Sequence, residues 1–221
     1  MNYGERMQNI ITALEHYFPN IYDPHVPDSF QLLVATILSQ NTSDKNSQKT
    51  FAKLSERFKI NPEIIADLSP EDILPLINSG GLGDIKSKRI VHVAKIILEK
   101  FGGDLSPILA LPLDDAREIL MSIKGIGPKT ADVVLSFAGK KSVIPVDTNI
   151  FRVTNRIGLV EGRNYERTRR ALEECIPLEK TQEMHLLLIQ LGREICKPRN
   201  PKCSACPINS FCDYAKSLNV R

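Results

Sequence analysis

Four of the five cysteines in this 221-residue chain follow the pattern C-x6-C-x2-C-x5-C, as Cys196, Cys203, Cys206 and Cys212. Four thiolates brought together within seventeen residues can enclose a metal centre. Soft sulfur donors suit either tetrahedral zinc or an iron–sulfur cluster, and spacing alone leaves both open. Zinc sites more often carry two short C-x2-C knuckles, and here Cys203 and Cys206 form the one pair of that kind. Disulfides are the weaker reading. Met1-Asn2-Tyr3-Gly4-Glu5-Arg6 is not followed by the apolar stretch of a signal peptide, which points to an intracellular protein with reduced thiols. The fifth cysteine, Cys175, reads as a small buried hydrophobe.

A second chemical feature is the run Gly125-Ile126-Gly127-Pro128-Lys129-Thr130-Ala131 between two apolar-periodic segments. Glycine permits backbone angles that other residues resist and lets the main chain approach a ligand. Pro128 suits the first turn of a helix, where a missing N–H costs nothing. The free amides and positive end of that helix would face an anion. Ile123 and Ile126 would bury against Val134 to set the angle between the helices. This is the pattern of a helix-hairpin-helix, which grips a DNA phosphate without reading bases. Gly125, Gly127 and Thr130 are its candidate contacts. Basic residues also cluster at Lys86, Lys88 and Arg89, at Lys140 and Lys141, and at Arg193, Lys197, Arg199 and Lys202. A net charge of +3 gives only a general hint of a polyanionic partner, and a solvated face explains each cluster taken singly.

Helices must position these groups. Apolar spacing predicts a first helix through Ile10, Leu14, Tyr17 and Phe18, and a second over Phe30–Leu38 capped by Asp28 or Ser29. Others are expected over 44–58, near 62–66 and 70–77, and from a glycine turn at Gly80-Gly81-Leu82-Gly83 through Phe101, where Gly102-Gly103 stops the helix. Further helices fit 113–123, 128–138, 148–156, 165–175 and 182–195. Val143-Ile144-Pro145-Val146 is apolar but short and broken by proline, so it reads as a linker. The expected class is all-α. A hydrophobic fraction of 42% and a charged fraction of 25% are ordinary for a globular protein, and no apolar run is long enough to span a bilayer.

The hairpin run, followed by Pro145-Val146-Asp147-Thr148-Asn149-Ile150-Phe151-Arg152-Val153 and then by the cysteine pattern, resembles the endonuclease III family of DNA glycosylase/AP lyases. The matching stretches run from about Phe30 to Cys212, nearly the whole chain. The resemblance implies that Lys129 is the nucleophile and Asp147 the essential carboxylate, and that Cys196, Cys203, Cys206 and Cys212 hold a [4Fe–4S] cluster. It implies two helical domains flanking a DNA-binding cleft. Residues 25–141 would form a six-helix barrel with the helix-hairpin-helix, and residues 1–24 with 142–221 an iron–sulfur cluster domain. The chemistry is coherent. A neutral amine can displace the base at C1′, and the resulting Schiff base acidifies C2′ for elimination of the 3′ phosphate. A helix N-terminus and desolvation disfavour the ammonium form of Lys129, whereas a nearby carboxylate favours it. Asp147 is therefore expected to accept the lysine proton and stabilise charge on the sugar.

The implied activity is bifunctional: excision of oxidised pyrimidines from damaged double-stranded DNA, then cleavage by β-elimination, by an intracellular monomer in the cytoplasm or nucleoid. The target base must be flipped out, and the family fills the gap with a glutamine, for which Gln40 and Asn41 are both candidates. Leu82 would insert as an apolar wedge, with Lys86 on a nearby phosphate. Lys197, Arg199 and Lys202, on a loop tied at both ends by cysteines, would meet phosphates. Asn149 stands where bacterial members commonly have histidine, which leaves lesion preference open. The alternatives are a thymine/uracil mismatch glycosylase of the same superfamily, against which Lys129 argues, an adenine glycosylase, or a non-catalytic helix-hairpin-helix DNA-binding protein.

Overall fold

The computed structural model describes residues 3–21, 28–78 and 82–218. Gly80 and Gly81 of the expected glycine turn lie outside them. No strand occurs among the described residues. The chain divides into two compact units, one of Met1–Pro24 with Ser142–Arg221 and one of His25–Lys141.

The unit His25–Lys141 is built from α2 (Ser29–Ser39), α3 (Asp44–Arg57), α4 (Pro62–Asp67), α5 (Pro70–Ile77), α6 (Gly83–Phe101), α7 (Ser106–Ala110), α8 (Leu113–Ser122) and α9 (Pro128–Phe137). Side-chain caps set the starts of the first four. Asp28, Ser43, Asn61 and Ser69 each accept a backbone N–H from the first turn of the helix that follows, and Ser69 and Asp72 form a reciprocal capping box. Gly102 and Gly103, at φ 61 and 84, end α6 by returning their amides to Leu98 and Ile97. Helix α6 packs against α2, α4 and α5, while α2 also meets α3 and α9. Leu33 and Ile37 of α2, Ile90 and Ile97 of α6, and Leu135 of α9 are fully enclosed. An ion pair clamps α8 to α9: Arg117 Nε donates at 2.7 Å to Oδ1 of Asp132, whose side chain has no exposed surface. Removing either partner of so buried a pair would leave a charge in low dielectric, at a cost of about 3–5 kcal/mol. Helix α7 is absent from the apolar pattern because five residues containing a proline cannot display a helical period.

The other unit contains α1 (Tyr3–Tyr17), α10 (Thr148–Ile157), α11 (Tyr165–Glu173), α12 (Thr181–Glu194) and α13 (Asp213–Leu218). Its core joins Ile10, Ile11 and Leu14 of α1 to Ile150, Val153 and Ile157 of α10 and to Met184, Leu187 and Leu191 of α12. The segment 143–146 has no regular structure, yet Val143, Ile144 and Val146 are buried. A buried backbone without a sheet must find other partners. The Ile144 amide donates to Glu173 Oε1, the Val146 amide donates to Tyr165 Oη, and the Pro145 carbonyl lies 2.8 Å from His185 Nδ1. This anchored segment delivers Asp147 to the start of α10.

Candidate functional site

In the hairpin, the Ile126 amide closes back on the Ile123 carbonyl at 2.9 Å, and Ile123, Ile126 and Val134 are all buried as the spacing required. The two glycines do different work. Gly125 has φ 109, which demands glycine, and an added Cβ would fall 2.7 Å from Arg89 Cγ. Gly127, at φ −93 and ψ 174, adopts extended backbone open to any residue. What its missing side chain leaves is clear space, since a Cβ there would meet no atom within 4 Å. Gly127 also offers no side-chain cap to α9, so the helix opens on Pro128 with an uncovered positive end. Lys129 stands half-buried on that first turn.

Three loop residues of the same unit hold left-handed backbone without being glycine: Asn41 at φ 52, Leu82 at φ 53 and Lys140 at φ 49. Such a conformation costs about 1 kcal/mol for a residue with a Cβ, and less for asparagine, whose short polar side chain can hydrogen-bond locally. Leu82 is 51% exposed and Asn41 is exposed. Gln40 is engaged inward. Its Nε2 donates to Thr130 Oγ1 at 3.2 Å and its Oε1 accepts from Arg89 Nη1. Of the two residues expected to fill the DNA gap, Asn41 is the one presented outward.

Two expected phosphate contacts need correction. Lys86 is 2% exposed, and its ammonium donates at 2.8 Å to the Leu38 carbonyl at the end of α2. Burial lowers its pKa, and an open helix carbonyl repays the desolvation. Thr130 is also 2% exposed, with its hydroxyl facing Gln40. Helical periodicity places both residues on inward faces, which a motif match does not weigh.

Asp147 caps α10 and is half-buried. Its Oδ1 accepts from the Ile150 amide and its Oδ2 from Asn149 Nδ2, both at 2.8 Å. Asn149 Oδ1 in turn accepts from Arg152 Nη2 at 2.8 Å, and Arg152 also donates to the carbonyls of Gly192 and Cys196. The carboxylate is thus oriented by a side chain that is itself tied to the first cysteine. Asn149 and Arg152 were not singled out for this from sequence. Their offsets of two and five from Asp147 put them on the turns of α10 above it, a signal that is readable once Asp147 is known to cap.

Cys196, Cys203, Cys206 and Cys212 line one cavity of ≈ 20 Å³, walled by Val153, Ile157, Leu191, Ile195, Ile208 and Ala215. Burial pushes the Cys206 thiol up to about 11, with the neighbouring Cys196, Cys212 and Cys203 adding to a shift that the Ile208 amide opposes. Thiols crowded in an apolar pocket stay protonated unless a cationic centre replaces their protons. Among the described residues no three His, Cys, Asp or Glu side chains are placed to hold a single metal ion. Arg156 supports the loop with Nη1 on Cys196 Sγ at 3.3 Å and on the Lys197 carbonyl at 2.7 Å, and its guanidinium lies 4.8 Å from the Tyr214 ring centroid. Lys197, Arg199 and Lys202 project outward from this braced loop. Lys197 and Arg199 share an open groove with Asn149, Arg152 and Arg193.

Known proteins share these features. Residues 34–178 match the family described as HhH-GPD superfamily base excision DNA repair protein, and residues 196–212 match the iron-sulfur binding domain of endonuclease III. The chain is 36% identical to endonuclease III of Thermotoga maritima over 187 residues, 85% of this chain and 84% of that one. It is 33% identical to endonuclease III of Escherichia coli K12 over the full length of both. Among solved structures, a trapped covalent intermediate of endonuclease III with DNA superposes with a TM-score of 0.87 at 28% identity, covering 100% of both chains. A family match across the hairpin and the Asp147 segment, full-length relatives and the cysteine-loop match lead to one conclusion: the chain belongs to the endonuclease III family of the HhH-GPD superfamily of base excision DNA repair proteins.

Proposed function

We propose that this protein excises oxidised pyrimidines from duplex DNA and cleaves the strand on the 3′ side, using Lys129 as nucleophile and Asp147 as the carboxylate that receives its proton. Family membership makes the chain a base excision repair DNA glycosylase with AP lyase activity and gives it a [4Fe–4S] cluster. The observation that carries the assignment of Lys129 is its place on the first turn of an uncapped helix behind Gly125 and Gly127. That position sets the amine beside free helix amides of the kind that bind phosphate. The amine attacks C1′ of an extruded nucleotide, the C1′–N bond breaks, and the base leaves with its electron pair. Asp147 takes the proton the amine gives up. The sugar opens to a Schiff base, C2′ loses a proton, and the C3′–O bond breaks to release the 3′ phosphate.

On the DNA, Asn41 occupies the vacated space and Leu82 wedges beside it, while Gly125 and Gly127 present backbone to a phosphate. Lys197, Arg199 and Lys202 meet phosphates further along. When bound, the cluster cross-links the four cysteines and keeps that loop rigid. The protein acts inside the cell as a monomer, on nucleoid DNA.

The assay is a set of labelled duplexes carrying thymine glycol, dihydrouracil, T:G, U:G, A:8-oxoguanine or an abasic site, with base loss and strand cleavage scored separately. Both events on thymine glycol and dihydrouracil are expected. Base loss confined to T:G or U:G, without strand cleavage, would move the chain to the mismatch glycosylases. Binding of the abasic duplex without any cleavage would make it a non-catalytic binder.

The cluster is testable by colour and composition. Anaerobically purified protein should be brown, with broad absorption near ~400 nm and stoichiometric iron and sulfide. Stoichiometric zinc without sulfide would refute the cluster.

A further inference from the structure

We propose that Gln40 is a positioning residue for Lys129, acting as the central link of a clasp that joins α6, the end of α2 and both ends of the hairpin turn. The proposal rests on Lys129 being the nucleophile. Arg89 of α6 is a pure donor, so the Gln40 amide oxygen must face it, and the amide nitrogen is thereby committed to Thr130 Oγ1 at 3.2 Å. The other end of the clasp is made by the Arg89 stem, which lies so close over Gly125 that a Cβ there would stand 2.7 Å from Arg89 Cγ and 3.2 Å from Cδ. Gly125 begins the turn, and Thr130 directly follows Lys129 in the first turn of α9. The segment bearing the amine is therefore held on both sides by one arginine–glutamine unit.

Gly127 supplies no side-chain cap to this helix. An uncapped helix start suits anion binding but leaves its first turn loosely held. The Thr130 hydroxyl is buried, so its contact with Gln40 is sheltered from competing water. Near-attack geometry tolerates little error, and a displacement of about 1 Å can cost roughly a hundredfold in rate. A clasp through Thr130 limits such displacement of the neighbouring residue without touching DNA.

The test uses the full-length holoenzyme and borohydride trapping on a preformed abasic duplex under single-turnover conditions. Gln40→Met keeps length but removes both hydrogen bonds, and Thr130→Val keeps shape but removes the hydroxyl. Each is expected to slow trapping roughly tenfold or more, while duplex affinity stays within about threefold. The double variant should be no slower than the worse single one, because both break the same link. Thr130→Ser, which restores the hydroxyl, should recover most of the rate. Trapping at the parental rate in both single variants, fully multiplicative losses, or a loss confined to duplex affinity would each overturn the proposal. If Gln40→Met fails to fold on melting, the Thr130→Val and Thr130→Ser comparison decides alone. Lys129→Gln run alongside separates the two readings. Persistent trapping in that variant removes the nucleophile and the clasp together, whereas its loss, with parental rates in the clasp variants, removes the clasp alone.

Discussion

Lys129→Gln should leave a folded, DNA-binding protein that cannot be trapped on damaged DNA by borohydride and cleaves abasic strands at least ~10³-fold more slowly. The size of the effect follows from the chemistry. A carboxamide cannot form a Schiff base, so the covalent route is removed rather than weakened. Little should change in stability. The residue is half-buried on the first turn of α9, where glutamine is a good helix former and a positive charge is unfavourable beside the helix dipole. A melting curve confirms that the variant is folded. Gel-shift affinity for an abasic duplex should fall only by the share of one cation. Undiminished trapping would show that another amine does the work.

Asp147→Asn should slow base release by roughly 10²–10⁴-fold, the range typical of a lost general base. Asparagine caps helices as well as aspartate does, so the bond from the Ile150 amide can persist. The second bond cannot persist unchanged, because the new amide nitrogen would face Asn149 Nδ2. Asn149 must then turn its own amide, which takes its oxygen away from Arg152 Nη2 and loosens the tie to Gly192 and Cys196. A stability loss of about 1 kcal/mol is expected from that rearrangement, measurable by urea unfolding. On a preformed abasic site no glycosidic bond has to break, so the strand-cleavage loss should be smaller than the base-release loss. Equal losses on both substrates would confine Asp147 to taking the lysine proton, a step both substrates share, and unchanged base release would exclude it from the reaction.

Much of this protein was legible in one dimension because the signals are local. Cap residues, helix-stopping glycines and apolar spacing depend on neighbours a few positions away, and they set helices close to those observed. The C-x6-C-x2-C-x5-C spacing likewise confines four thiols to one short loop, which becomes the wall of a single cavity. Short elements escaped for the same reason: α7 and α13, with five and six residues, are too brief to show a period. Tertiary structure decided which way side chains point when neighbours differ by one position. Gln40 and Asn41 are indistinguishable as polar loop residues, yet Gln40 turns inward to Arg89 and Thr130 while Asn41 is exposed. Lys86 looks like a surface cation in a basic cluster, yet it is buried with its ammonium on the carbonyl of Leu38, 48 residues away in sequence. Arg152 and Arg156 brace the cysteine loop through backbone carbonyls 40 or more residues distant. A carbonyl is present at every residue and carries no sequence signature, so partnerships of this kind become visible only when the chain is folded.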